Sequence, residues 1–285
     1  MAIPPPTSSA ASSFPHPAGR GVARRMRAMA IAWLALCALA VAHAAEPAPD
    51  CSRPLTLGLH EHGLLYTGET GEGIDKDIAD EMARRSGCRI VTTVLPRARI
   101  WQLIETGALD FSLSAIANRD RDRFASFAWY DANKYYLLVR RDANVASVAG
   151  FLRHNQLRLG VIRGFRYDAG ANELVDALDA EARVSYATSL DPLFEILLGG
   201  HIQAMIVEPF DYPVIHQRAL QEQTMILEFD DPPVPHGLVM SRKSLAPAQQ
   251  AAWRAVIDGM RADGTTLRIF SKYFPADLAR AMTRF

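Results

Sequence analysis

The sequence lacks most of the signatures that would announce a chemistry or a nucleic-acid partner. It has three cysteines, 31 basic against 31 acidic residues, and no apolar run near the roughly 20 residues that span a bilayer. Balanced charge, with no Lys/Arg-rich stripe beyond the N-terminus, excludes the electrostatic footprint of a nucleic-acid binder. There is no dinucleotide fingerprint, P-loop or nucleophile elbow, and no pair of carboxylates at a readable spacing. The eight histidines show no metal-ligand spacing: His60 and His62 are the closest pair, and a two-residue step without a third ligand does not make a zinc site. Neither a metal nor a cofactor is expected.

What is present is ordinary globular composition, 49% hydrophobic and 22% charged, enough for a substantial core. The opening is a separate object. A basic cluster (Arg20, Arg24, Arg25, Arg27) precedes an apolar run from Ala28 to Ala42, and Ala42-His43-Ala44 supplies a small-x-small cleavage pattern. Such a run matches the roughly 7–15 residues of a signal-peptide core, so residues 1–44 read as an export signal with an N-terminal extension, cleaved after about Ala44. Periplasmic location follows. An uncleaved anchor is the alternative, and Met26 is a second candidate start. Cys37 lies inside the apolar run after Leu36, where a lipid-attachment site would want a small residue.

Export leaves Cys51 and Cys88 in a compartment that permits oxidation, and each precedes an apolar strand pattern, Leu55–Leu59 and Ile90–Val94. If the two strands are parallel neighbours, the sulfurs start side by side. A Cys51–Cys88 disulfide would then contribute about 3–4 kcal/mol in the chain-entropy model. Free thiols or a metal pair are the alternatives.

Beyond the first strand lies a polar, Gly-rich loop from His60 to Gly73. Ile74, Ile78 and Met82 then recur at helical spacing, with Asp75 as the expected N-cap and Gly87 as the stop. A second helix carries Ile100, Trp101, Leu103 and Ile104 to Gly107, and Asp110–Ser114 begins a third strand. The pattern restarts at Leu157–Ile162, passes a turn at Arg163–Arg166, and reaches a buried strand, Ala204–Val207, that leads directly into Glu208. Alternating strands and helices imply α/β architecture with mostly parallel sheets flanked by helices, and ligands gathering beyond the carboxyl ends of the strands.

Several segments carry a resemblance. Gly73-Ile74-Asp75-Lys76-Asp77-Ile78-Ala79, Gly107-Ala108-Leu109-Asp110, and Arg121 ahead of Phe127 and Tyr130 are similar to the family 3 extracellular solute-binding proteins. So are Gly199–Ala204 before Glu208, His236-Gly237-Leu238-Val239, and Ala262–Thr265 leading to Lys272-Tyr273-Phe274. They follow the family's order over nearly the whole mature chain. The resemblance implies a periplasmic-binding-protein-like two-lobe (Venus flytrap) fold closing on ligand by hinge motion. Lobe 1 would be discontinuous, 51–132 and 240–285, lobe 2 would span 137–235, and two crossover hinge strands would lie at 133–136 and 236–239.

By the same resemblance Arg121 holds the ligand carboxylate, a role for which the guanidinium fork is suited. A solvated surface charge among Arg119, Asp120, Asp122 and Arg123 is the alternative. Glu208 stands where the family typically has an Asp gripping a ligand ammonium; an N-cap or interlobe salt bridge is the other reading. Gly164 and Phe165 sit at a turn whose backbone N–H groups can meet an anion. His60, Tyr66, Arg97 and Ser114 complete the expected ligand contacts. Arg97, at a position often aromatic in the family, suggests an acidic or polar ligand, with Arg99 as the competing inward residue. Trp101, Trp129 and Trp253 read as core residues.

The function implied is capture of a small carboxylate-bearing molecule, an amino acid or relative, by a monomer that delivers it to an ABC permease of the inner membrane, without chemistry. Two alternatives are an enzyme resembling periplasmic cyclohexadienyl dehydratases, with Glu208 as general acid, and a ligand-sensing binding protein.

Overall fold

The structure is a computed structural model that describes residues 48–285; the expected export signal and its cleavage site lie outside the described residues. Strands β1 (Leu55–Leu59), β2 (Ile90–Val94), β3 (Phe111–Ala115), β4 (Ala125–Asn133) and β10 (Val234–Ser241) form one sheet, in the order β2-β1-β3-β10-β4. Strands β5 (Tyr136–Arg140), β6 (Leu159–Ile162), β7 (Val184–Ala187), β8 (Ala204–Val207) and β9 (Thr224–Glu228) form a second, in the order β7-β6-β8-β5-β9. In each sheet three parallel strands are followed by one that runs antiparallel to them, β10 or β5, and by an edge strand, β4 or β9, that pairs antiparallel with it.

The first helices form as their sequence dictates. In α1 (Ile74–Ser86) Ile74, Ile78 and Met82 make one buried stripe, and Gly87 ends the helix in the left-handed conformation that glycine adopts without strain. Helix α2 (Arg97–Thr106) buries Ile100 and Ile104 and stops in the same way at Gly107. Asp75 is not the cap of α1. Gly73 holds that position, and Asp75 is buried in the first turn. Cys51 and Cys88 are joined by a disulfide, and the β1/β2 register, Leu55 opposite Ile90, accounts for it by starting both strands at the same edge.

In the second lobe α3 (Val148–Arg153), α4 (Ala169–Ala180) and α5 (Leu190–Leu198) flank the sheet, and the short helices α6 (Tyr212–Ile215) and α7 (Arg218–Gln223) precede β9. Its core gathers Leu137, Phe151, Leu159, Leu193 and Met205. Helices α8 (Pro247–Ala262), α9 (Thr265–Phe270) and α10 (Ala276–Thr283) return to the first sheet, where Trp253, Ile257 and Phe270 share a core with Leu57 and Phe111. Among the described residues no helix is long and apolar enough to cross a membrane.

The chain passes between the sheets at residues 134–135 and again at 229–233. His236–Val239, expected as a return hinge strand, lie within β10, which pairs with β4 from Val234 to Ser241. One segment bridges the lobes. After β8 the 3₁₀ turn Pro209–Asp211 inserts the fully buried Phe210 among Phe270 and Phe274 of the first core, and the Leu64 N–H donates to the Phe210 carbonyl at 2.8 Å. Gly63 permits this approach: its φ is +47°, and a Cβ there would overlap that carbonyl.

Candidate functional site

The carboxyl ends of β1, β3, β6 and β8 converge with the crossover segments on one buried polar cluster. Two guanidiniums form one end of it. Arg97, the first residue of α2, and Arg121, opening a 3₁₀ turn after β3, are only 4% and 7% exposed. Arg97 donates to the carbonyls of Leu113 (3.1 Å) and Ser114 (2.8 Å) and to Ser112 Oγ (3.3 Å). Arg121 donates to the Ile116 carbonyl at 2.9 Å and, across the cleft, to the Gly164 carbonyl at 3.0 Å. Its guanidinium lies 3.9 Å from the centre of the Trp101 ring, so Trp101 is a platform for this cation as well as part of a core.

Among the described residues neither arginine is ion-paired with a carboxylate. Burial, and then the neighbouring Arg97 charge, pull the Arg121 pKa down to about 9. Burial likewise lowers that of Arg97, against the attraction of Asp75. Buried charge of this kind is costly until an anion meets it.

The carbonyl fan around Arg97 depends on a strained residue. Ser114 takes φ +46°, a conformation that costs a non-glycine residue about 1–3 kcal/mol. Its N–H donates to Tyr130 Oη (2.7 Å), its Oγ to Asp75 Oδ1 (2.6 Å), and its carbonyl accepts from Arg97. Burial raises Asp75 to about 6, and the hydrogen bond from Ser114 limits the rise.

The other end is acidic and already paired. Glu208, 5% exposed at the end of β8, has Oε1 at 2.9 Å from His62 Nε2 and Oε2 accepting from Asn133 Nδ2 at 3.2 Å. Asp211 Oδ1 lies 3.3 Å from the same His62 nitrogen, and Asp211 Oδ2 accepts the Glu208 N–H in a capping box. Burial pushes the His62 pKa down, but Asp211 and Glu208 together carry it above the usual histidine value. Burial opposes ionisation of Glu208, and the hydrogen bond and charge of His62 overcome it, so that its pKa ends below normal. Asp211 rises to about 6 through burial, with His62 opposing.

Of the residues expected from sequence, Arg121, Glu208, Ser114, Arg97, His60, Gly164 and Phe165 come together here. His60 is buried with Nδ1 at 3.4 Å from Arg97 Nη1, and burial followed by the Arg97 charge holds it well below its ordinary pKa, hence neutral. Phe165 packs its ring on His60 (5.6 Å) and His62 (5.0 Å). Its N–H is used within the turn, by the Ile162 carbonyl, and the Gly164 carbonyl accepts from Arg121. Gly164 is required to be small: φ is +86°, and a Cβ would lie 2.8 Å from Ala98 Cα in α2. Tyr66 stands apart. Its backbone bridges to His62, while its side chain packs on the first-lobe core.

Sequence reading missed His62, Asp75, Asp131, Tyr135, Asp211 and His236. Tyr135 Oη and His236 Nε2 are 2.7 Å apart, and His236 Nδ1 lies 2.8 Å from the Val234 carbonyl; with Nδ1 as the donor, Nε2 accepts from the tyrosine. Asp131 is fully buried in β4 without a well-aligned donor, and burial, then Glu208 and Asp75, push its pKa well above the carboxylate range. The one signal that could have found His62 is its place in the Gly-rich loop directly after β1, at the strand ends where ligands gather. Among the described residues no His/Cys/Asp/Glu group is arranged to hold a metal.

None of the curated proteins matches the chain. Solved structures do. An ancestral arginine-binding protein bound to arginine is similar with a TM-score of 0.66 at 16% identity, over 79% of this chain and 100% of that one. A substrate-binding protein of an ABC uptake transporter from Streptococcus pneumoniae with bound histidine gives 0.63 at 12% identity, over 78% and 92%. An ancestral amino acid-binding protein that is a precursor of cyclohexadienyl dehydratase gives 0.63 at 18%, over 78% and 96%. At such identities these likenesses establish the two-lobe fold. The model of the bacterial extracellular solute-binding proteins, family 3, matches residues 63–276, most of the chain, and the protein belongs to that family.

Proposed function

We propose that this protein is exported to the periplasm, with its signal removed after about Ala44, and captures a small carboxylate-bearing solute of amino-acid size for import through an ABC permease of the inner membrane. The observation that carries this reading is Arg121: a cation buried between the lobes, hydrogen-bonded across the cleft to Gly164, stacked on Trp101 and without a carboxylate of its own. A ligand carboxylate supplies the missing charge and favours closure. The arginine and histidine bound in similar structures support a solute of this size.

The likeness to a dehydratase precursor raises an enzymatic reading, in which Glu208 would act as general acid. Its environment opposes that role. A general acid at neutral pH must hold a proton, and His62 holds Glu208 ionised. The chain is therefore read as a binder.

The test is a thermal-shift screen of ligand-free protein against amino acids, dicarboxylates, polyamines and prephenate. A ligand at a hundred times its Kd adds about 2.7 kcal/mol to stability. Arg121→Ala is expected to weaken a carboxylate hit by about 2–5 kcal/mol, with the ligand-free midpoint nearly unchanged. A panel silent to every carboxylate, or an Arg121→Ala protein of undiminished affinity, overturns the reading; phenylpyruvate formed from prephenate would make the protein an enzyme.

A further inference from the structure

The cleft's two ends differ in what they leave for a ligand to do. A ligand ammonium needs a carboxylate able to receive it, and the acids at the Glu208 end are already engaged. Glu208 has one oxygen on His62 and the other on Asn133. Asp211 has one oxygen near His62 and the other on the Glu208 N–H. His62 itself is 97% buried and faces both acids, which makes it the protein's own cation at this position.

Of the remaining buried acids, Asp75 is turned to Ser114 and Tyr130. Asp131 lies within the β4/β10 ladder, opposite His236. Burial holds Asp131 well above the ordinary carboxylate range, and Asp75, raised to about 6, has an oxygen on Ser114 and its charge acting on the nearby Arg97, so neither is placed to receive an amine. At the opposite end, Arg97 and Arg121 bring two positive charges to the same Trp101 ring, at 5.5 and 3.9 Å. Backbone carbonyls and a hydroxyl satisfy their hydrogen bonds but do not neutralise them.

We propose that the solute is a small dicarboxylate without an ammonium group, its negative charge met by Arg97 and Arg121, while His62 occupies on Glu208 and Asp211 the place an ammonium would take. This rests on the carboxylate-capture reading above and narrows it. His62 is then a specificity-determining residue. It excludes α-amino acids by placing a like charge where their ammonium would go, a form of discrimination that acts against the wrong ligand rather than for the right one.

Matched probes test it. Isothermal titration of the ligand-free protein with succinate against aspartate, and glutarate against glutamate, compares pairs that differ only in the ammonium. The expected result is that the dicarboxylate of at least one pair binds at least roughly tenfold more tightly than its amino counterpart. His62→Gln, which keeps a hydrogen-bond donor but removes the charge, should narrow or reverse that ratio. Tighter binding of aspartate or glutamate by the wild-type protein overturns the ammonium-free assignment and leaves carboxylate capture standing. No binding by any of the four, together with a silent carboxylate panel, sinks both. Should His62→Gln fail to fold, the wild-type ratios alone decide.

Discussion

The acidic end of the cleft is closed by the protein's own groups, whereas the basic end is closed around charges that the protein leaves unmatched. At the acidic end His62 pairs with Glu208 and Asp211, Phe210 sits among Phe270 and Phe274 of the opposite lobe, and Leu64 bonds the Phe210 carbonyl. At the basic end the interlobe hydrogen bond runs from Arg121 to Gly164, and it satisfies a donor without cancelling its charge. The difference teaches how one fold divides its labour. One end fixes where the lobes meet, and the other holds two buried cations that no carboxylate pairs with among the described residues.

The largest expected effect tests the stitched end. Phe210 is fully buried in the core of the lobe to which its own strand does not belong. Phe210→Ala should cost about 3–5 kcal/mol, the usual range for emptying a buried aromatic site, read as a lowered denaturant midpoint of the ligand-free protein. Arg121→Ala, at the other end, should leave that midpoint almost where it is. If the two variants behaved alike, the ends would not differ in the way the contacts indicate.

This asymmetry was only partly legible in the sequence. The sheets and helices were, because Ile74, Ile78 and Met82 mark a helix face and Gly87 and Gly107 can end helices at φ +72° and +76°. The Cys51–Cys88 bond followed from two strand starts side by side. Arg121 and Glu208 were found by family resemblance. Asp75 was misread because an acid in a first helical turn looks like a cap; only the distant Ser114 and Tyr130, folded against it, show why it turns inward. His62 and Phe210 were invisible for the same reason. Their partners lie far along the chain, and nothing local in a His-Glu-His-Gly loop or a Pro-Phe-Asp turn names them. Asp131 and His236 face each other only because β10 pairs with β4 after a whole lobe has intervened.

A smaller effect sharpens the assignment of charge at the stitched end. The folded pKa of His62 is raised above its ordinary 6.5, so its stabilisation is fully present below that pH and fades as pH rises through the raised value. The folded pKa of Glu208 is lowered from 4.5, so its share is present above that pH and fades as pH falls through the lowered value. The difference in unfolding free energy between wild type and His62→Gln should therefore be greatest near pH 6.5, where Asp211, at about 6, is mostly ionised and His62 still holds its proton, amount to about 1.5–3 kcal/mol there, and shrink on the alkaline side as His62 loses its proton and on the acidic side as the two acids gain theirs. His60 and His236, both lowered by burial, lose stability on acidification in either protein; His60, which also feels the His62 charge, loses less in the variant, which narrows the difference further at low pH. Parallel curves across the whole range would mean that His62 is neutral and that the acidic end has no cation of its own.

The last effect concerns Asp131, because an ionised carboxylate there would supply negative charge to the cleft and weaken the contrast between its ends. Burial, Glu208 and Asp75 all favour its protonated form, while the Asn133 side chain opposes them. The unfolded chain releases this proton near the ordinary 3.8, and the folded protein retains it to a much higher pH. Between those values the unfolded state binds fewer protons, so wild-type stability falls as pH rises. Asp131→Asn replaces a neutral carboxyl by a neutral amide of the same shape and removes that slope. Relative to wild type, the variant should gain stability as pH rises above 5, by at most about 1.4 kcal/mol per pH unit for as long as the folded wild-type protein keeps this proton, measured by denaturant unfolding at each pH. A difference independent of pH over that range would show that Asp131 is ionised in the folded protein, and the cleft would then hold a negative charge besides that of the His62-bound acids.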